Sequence, residues 1–438
     1  MRTRHARQGF LLITTLMVVS GLLVLSAVSI MRSATDLLVT NHFVASQQAF
    51  AVAEAGLDCA ITQLRTSPDQ NSASAVCTTC TPPTCAPGTR IVVVSAPTNN
   101  RYPLTSAGMA AASTTSTVTA EVQRTPPASP FQQALFGSRV QSTTAGIQLI
   151  WGAKADSYDS RSGSYGGSNQ ANDAEIRTNS SYNTSNPTDD LAAIVVVYAG
   201  SSAAYAYAPP GAEIEKLANI TVGYGQKPVQ SMPTPKAPTQ PGGCIPLGDL
   251  TVTSWQEYPD TNYCATSITV NGGTLRFPNL QYLSVSNALT VQQDSGGVPG
   301  ALQVGQGTIK VTGTLTVQNA NSTFEGTDGR VDVYTHKLTV LSGTLKSANL
   351  KPGNLRVYQI GGTADLWKVQ NGSLVYGSIY ALDTNLSSGT SSIFGGVISG
   401  YCTLSGAGAW VHFDKALKDD VDWPTWVGPV EVTVLAQY

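Results

Sequence analysis

Charge is scarce in this 438-residue chain: charged residues make up 12%, and 25 Lys+Arg against 27 Asp+Glu leave a formal net charge of −2. With no basic excess, the chain is not expected to bind nucleic acid by bulk electrostatics. Histidine is equally scarce, with only His5, His42, His336 and His412 available to serve as a hydrolase base. Long stretches free of Gly and Pro are missing after residue 66, where Ser, Thr and Asn abound among most of the 41 Gly and 24 Pro. That composition describes short elements joined by turns and excludes an all-helical enzyme. No Lys-Ser or Lys-Thr follows the glycine runs, so no phosphate cradle is present. What the chain does have is 42% apolar residues, enough to bury a sizeable core and to exclude disorder throughout.

The N-terminus is the most strongly patterned stretch. Arg2, Arg4 and Arg7 precede an uncharged apolar run, Phe10 to Met31, whose length at ~1.5 Å per residue spans the ~30 Å hydrocarbon core of a bilayer. The positive-inside rule keeps the arginines cytoplasmic and exports residues 32–438. A cleaved secretory signal has a shorter apolar region, ~7–15 residues. From Arg32 to Arg65 there is no Pro and a single Gly, and Leu37, Leu38, Val44, Phe50, Leu57, Ile61 and Leu64 recur at three- and four-residue spacings. The pattern predicts one helix of about 50 residues ending before Pro68. Half of it is apolar all round and half amphipathic, so it requires lipid or neighbouring copies of such helices.

Arg7-Gln8-Gly9-Phe10 resembles a prepilin leader, and Gln47-Gln48-Ala49-Phe50-Ala51-Val52-Ala53-Glu54-Ala55-Gly56-Leu57 resembles the helix signature of PilX-type minor pilins. The resemblance implies a type IV pilus-like subunit, cut after Gly9 by a membrane-embedded prepilin peptidase and N-methylated on Phe10. It assigns Thr14 and Glu54 to filament packing. Most pilins carry Glu where this chain has Thr14, and there it meets the free amine of the adjoining subunit, a valuable charge pair in low dielectric. Its absence resembles minor subunits placed at a filament tip. The implied partners are other pilins through the N-terminal helix, the prepilin peptidase, the inner membrane before assembly, and a surface or carbohydrate ligand. The implied location is a single-pass inner-membrane protein with an exported C-terminal region, then a cell-surface filament. A type II secretion minor pseudopilin is the alternative within this architecture.

All seven cysteines follow the apolar run, where an oxidising compartment permits disulfides. Cys59, Cys77, Cys80 and Cys85 allow three pairings, and Cys244 with Cys264 makes a further candidate bridge. Zinc competes for Cys77-x2-Cys80-x4-Cys85, with Cys59 as a fourth ligand and no nearby His. Cys402 reads as a small buried core residue.

The expected fold class is α+β: a leader (1–9), a membrane helix (10–31), its amphipathic continuation (32–66), a small pilin-like β region with the Cys cluster (67–130), a Gly/Ser- and Pro-rich β or strap region (131–243), and a β-solenoid domain (244–438). The last rests on apolar starts at 302, 309 and 315, then 331, 338 and 345, spaced six or seven residues apart. That is too short for hairpins with loops but suits three short faces per rung. A β-sandwich shares the period-two alternation. Val375 to Ala381, Phe394 to Gly400 and Leu404 to Asp414, with Ser157-Tyr158-Asp159-Ser160, resemble parts of large PilX-like proteins.

Chemistry is thinly signalled. His412 and Asp414, two apart on a strand, read as a hydrogen-bonded pair. Asp294, Asp332, Asp365 and Asp383 are candidates for a polysaccharide-cleaving site, and Asn319, Asn321, Glu325 and Asp328 form an oxygen-rich turn of the kind that holds calcium. Trp255, Tyr258, Tyr263, Trp367, Trp410, Trp423 and Trp426 are candidates to stack on sugars. No metal or other cofactor is expected, and the reading is of a structural and interaction protein rather than an enzyme.

Overall fold

The computed structural model describes residues 4–66, 89–94, 101–110, 114–125, 129–140, 145–181, 193–196, 200–216, 222–319, 321–327, 329–362, 366–420 and 431–437. They belong to two compact units, Met1–Pro126 with Pro429–Tyr438, and Pro127–Gly428.

The first unit is built on one helix, Arg4–Thr66. It exceeds the expected length because residues before Phe10 are also helical; its 63 residues make ~95 Å at the usual rise. Leu12, Leu16, Met17, Leu22, Leu23 and Leu25 are all more than half exposed. The hydroxyls of Thr15, Ser20 and Ser26 fold back onto the carbonyls of Leu12, Met17 and Leu22 at 2.9, 3.0 and 2.8 Å, which leaves no polar group facing outward unbonded at these positions. With an apolar window of mean hydropathy 2.2, this helix is long and apolar enough to cross a membrane, as a single-pass anchor or a signal sequence does.

Farther along, the helix becomes one-sided. Ala49, Val52, Ala53, Leu57, Ala60 and Ile61 are buried at three- and four-residue spacings. They pack on Tyr102, Leu104, Val118, Ala120 and Val122 of an antiparallel sheet ordered Thr89–Val94, Arg101–Met109, Thr115–Thr125, Glu431–Gln437. Contact is closest at Gly108, where a Cβ would lie 2.1 Å from the Ala49 carbonyl oxygen. The last two strands are neighbours in the sheet, with Thr125 opposite Glu431, so the whole second unit is inserted between them.

In that unit the described strands form a nineteen-stranded and a nine-stranded sheet. Every pairing between their strands is parallel, which excludes an antiparallel sandwich. Register is kept from strand to strand, so identical positions stack in rows. In the nine-stranded sheet Leu275, Leu302, Phe324, Leu345, Val375, Ile393 and Val411 form one continuous inward row, each fully buried. Each such side chain contributes ~1.5–3 kcal/mol of hydrophobic stabilisation. Outward rows carry cross-strand ion pairs such as Glu257–Arg276 and Glu325–Lys346. Buried aromatics also follow the register: Tyr334 stacks on Tyr358 at 4.9 Å, Tyr380 meets Tyr358 edge-on at 6.2 Å, and Phe131, off the strands, meets Tyr380 edge-on at 6.1 Å.

Residues 131–243 do not stand apart from residues 244–438, as the sequence division placed them. Val397–Ser399 pairs with Leu135–Gly137, Cys402–Ser405 with Ile147–Ile150, and Trp410–Asp414 with Lys154–Tyr158. The strands up to Gly223–Gln226 continue the same stack beyond these joints. Residues 228–243 form no strand and run back along it, bonded through Asn179 to Gln230, Tyr380 to Pro233 and Tyr282 to Pro238. Pro228 to Cys244, sixteen steps at ~3.1 Å in an extended Pro-rich chain, reaches ~50 Å. That suffices to cross the eight strand spacings from Glu175–Thr178 to Asn262–Asn271, ~38 Å at ~4.8 Å each. At its end Cys244 and Cys264 are disulfide-bonded. The C-terminal strand Glu431–Gln437, assigned from sequence to the solenoid, pairs instead in the first unit.

Candidate functional site

The richest side-chain chemistry lies where the strand Trp410–Asp414 meets Lys154–Tyr158. Their parallel register sets His412 against Asp156, and His412 Nδ1 is 2.5 Å from Asp156 Oδ1, both residues buried. The sequence reading paired His412 with Asp414. The strand from the far end of the unit supplies a nearer carboxylate, while Asp414 Oδ1 instead accepts the backbone N–H groups of Ser160 and Ala416 at 2.9 and 3.1 Å. Burial pushes the Asp414 carboxyl above the usual range, against the pull of those donors.

The segment after Tyr158 folds over this face. Tyr165 donates its hydroxyl to Asp156 Oδ2 at 2.6 Å, and Gln170 Nε2 donates to the same oxygen at 2.9 Å. The Tyr165 ring lies 3.9 Å from the His412 ring, and Phe394 and Tyr376 extend the stack at 4.6 and 4.3 Å. Burial first, then the bond to Asp156, pushes the Tyr165 hydroxyl upward. Asn169 holds the loop in shape by donating to the carbonyls of Asp159, Gly163 and Ser164. Arg161 clasps Asp159 and Asp419, and its hydrogen bonds hold Asp159 below the ordinary carboxylate value. The segment from Tyr158 to Gln170 is therefore a structured cover over a buried His–Asp pair. Asp156, Tyr165 and Gln170 carried no sequence signal, because their partner lies far along the chain.

Beside this cover opens a groove of about 720 Å³. It is lined by Lys154, Gln170, Asn172, Ser202, Tyr205 and Trp410 among others. The Lys154 ammonium lies 5.6 Å over the Trp410 ring. A smaller cavity of about 300 Å³ holds Arg161, Arg330 and Arg356, each paired with a carboxylate, which accounts for it as an ion-pair network.

The other sequence candidates are scattered. Asp294 caps a turn through Gly296 and Val298 N–H groups, and Asp332 pairs with Arg330; Asp383 follows the strand Ser378–Ala381, and Asp365 lies outside the described residues. Asn319 and Asn321 take the left-handed backbone of a tight turn, and Glu325 pairs with Lys346; Asp328 lies outside the described residues. Among the described residues no cluster of His, Cys, Asp and Glu fits a metal ion. Trp367 and Tyr263 are buried, Tyr258 stacks on Phe277, and Trp255 is exposed at the far end of the nine-stranded sheet. Trp423 and Trp426 are outside the described residues, as are Cys77, Cys80 and Cys85. Cys59 is half-buried and Cys402 buried, both as free thiols; burial pushes the Cys402 thiol up to about 12. Gly9, Phe10 and Thr14 fall within the helix, and Glu54 is exposed beside the buried Ala53 and Leu57 stripe.

Residues 260–420 match the family model described as a domain of unknown function (DUF7305). No curated protein and no solved structure matches the chain. The matched stretch includes His412 and Trp410 but not Asp156, Tyr165 or Tyr205, so Trp410 alone of the groove's described lining falls inside it.

Proposed function

We propose that the chain is a minor subunit of a type IV pilus-like filament, placed at or near the tip, and that its second unit is a β-solenoid. The observation that carries the filament reading is the helix, which exposes apolar side chains all round in its first half and buries an Ala- and Leu-rich stripe against an antiparallel sheet in its second. A helix of that kind anchors in lipid before assembly and among neighbouring helices afterwards. The leader Arg7-Gln8-Gly9-Phe10 supplies the processing site, with cleavage after Gly9 and methylation of Phe10. Thr14 in place of the usual Glu, and the bulk of the unit between Pro127 and Gly428, both favour a terminal position over repetition along a shaft. In-register parallel strands with continuous inward rows support the solenoid reading.

Mass spectrometry of the mature N-terminus, from membranes and from sheared surface material, tests the pathway. The expected product begins at Phe10 and carries one added methyl. An intact Met1, or a cut elsewhere, would overturn the filament reading. Immunogold labelling of sheared filaments tests placement, and uniform decoration of the shaft would sink the tip assignment.

A further inference from the structure

Tyr205 and Tyr207 lie on the strand Tyr205–Ala208, and the next strand in the stack sets Gly223 opposite Tyr205 and Gly225 opposite Tyr207. A Cβ on Gly223 would come within 2.5 Å of the Tyr205 ring, and one on Gly225 within 3.0 Å of the Tyr207 ring. Each ring therefore lies across a glycine, one face on backbone and the other turned outward. The two rings are nearly parallel, 14° apart with centroids 6.3 Å apart. The outer face of Tyr207 is taken by the Lys227 ammonium at 3.5 Å. Tyr205, at 50% exposed, keeps its outer face open at the wall of the 720 Å³ groove.

An aromatic ring held flat in a concave groove that mixes polar side chains with alanines and Trp410 is well suited to a pyranose, which has an apolar face and a polar rim. The axial C–H bonds of a sugar ring meet the negative face of the tyrosine, while its rim of hydroxyls needs donors and acceptors on either side. The groove provides them. Asn172 is exposed beside Tyr205 and Ser202 is half-exposed. Trp410 also lines the groove, with the Lys154 ammonium over its ring. Among the described residues Lys154 is the one cation lining the groove. Asp156 also reaches it, but its two oxygens are already engaged by His412, Tyr165 and Gln170.

We infer that this groove binds a glycan, with a pyranose stacked on Tyr205, its hydroxyls met by Asn172 and Ser202, and a carboxylate-bearing sugar favoured by Lys154. The inference stands on the second unit alone. Failure to bind would leave the filament reading intact, since N-terminal processing tests that separately.

The test uses the full chain in detergent micelles on an array of neutral, uronate-bearing and sialate-bearing oligosaccharides, followed by titration with those retained. Retention of a defined set is expected, stronger for the acidic members. Tyr205→Ala should weaken it about tenfold or more, whereas Tyr205→Phe, which keeps the ring, should stay within about twofold. Gly223→Ala tilts the ring without removing it and should also weaken binding, with the thermal unfolding curve unchanged. Lys154→Met should erase the preference for acidic chains. No retention of any oligosaccharide, or equal retention by Tyr205→Ala in a folded protein, would overturn the assignment. An unchanged acidic preference in Lys154→Met would remove Lys154 from it.

Discussion

His412 Nδ1 stands 2.5 Å from Asp156 Oδ1 although 256 residues separate them. This contact, with the three in-register strand pairs around it, closes the end of the second unit onto its beginning. Asp156→Ala strips the acceptor from the buried His412, and from Tyr165 and Gln170, which water can reach; a buried donor left unsatisfied costs ~1–3 kcal/mol. The expected loss is about 1–3 kcal/mol, read from the denaturant midpoint of the second unit's unfolding. Asp156→Asn retains one acceptor oxygen and should lose less.

Asp414 predicts a dependence on pH. Burial raises its carboxyl above the ordinary aspartate value, so the folded chain binds this proton more readily than the unfolded chain. That contribution is full below the unfolded value and is lost as pH rises through the folded value. Asp414→Asn keeps an oxygen for the Ser160 and Ala416 N–H groups but removes the buried charge. It should therefore match the parent in acid and exceed it in stability at neutral pH, as followed by thermal melts across a pH series. A stability gain that grows toward acid would contradict this account.

At Gly108 there is no room for a methyl group. Its Cβ would lie 2.1 Å from the Ala49 carbonyl and 2.5 Å from the Ala53 nitrogen, both helix backbone. Gly108→Ala should cost ~1–3 kcal/mol by forcing the helix off the sheet. Amide exchange along Ala49–Ile61 would report it, with the second unit unaffected.

The Cys244–Cys264 bridge closes a loop of 20 residues, which loop-closure estimates value at ~3 kcal/mol. A double serine variant should lower the unfolding midpoint by about that much, and reductant should do the same to the parent and nothing further to the variant.

Much of this architecture is readable in the linear chain. All six apolar starts fall on strands: 302 on Ala301–Val304, 309 and 315 together on the long strand Gly307–Gln318, 331 and 338 together on Val331–Leu341, and 345 on Thr344–Lys346. Two-residue alternation and tight turns are local properties. The placement of residues 135–226 beyond residue 414 is not, because it rests on strands as short as Leu135–Gly137 whose partners are chosen by the open edge they meet. For the same reason the neighbouring Asp414 looked like the natural partner of His412. The groove was half visible: Trp410 stood out by type, whereas Tyr205 acquires meaning only from Gly223 on the next strand.

The insertion between Thr115–Thr125 and Glu431–Gln437 also decides how a pull would travel. Tension applied anywhere in Pro127–Gly428 leaves through two covalent connections that enter neighbouring strands at the same end, where Thr125 faces Glu431. The two strands are then drawn side by side instead of being sheared past one another or unzipped bond by bond, and each backbone carries part of the load. A molecule seized at its surface and held by its helix is thus tethered by a doubled line, and cutting either connection would turn it into a single one.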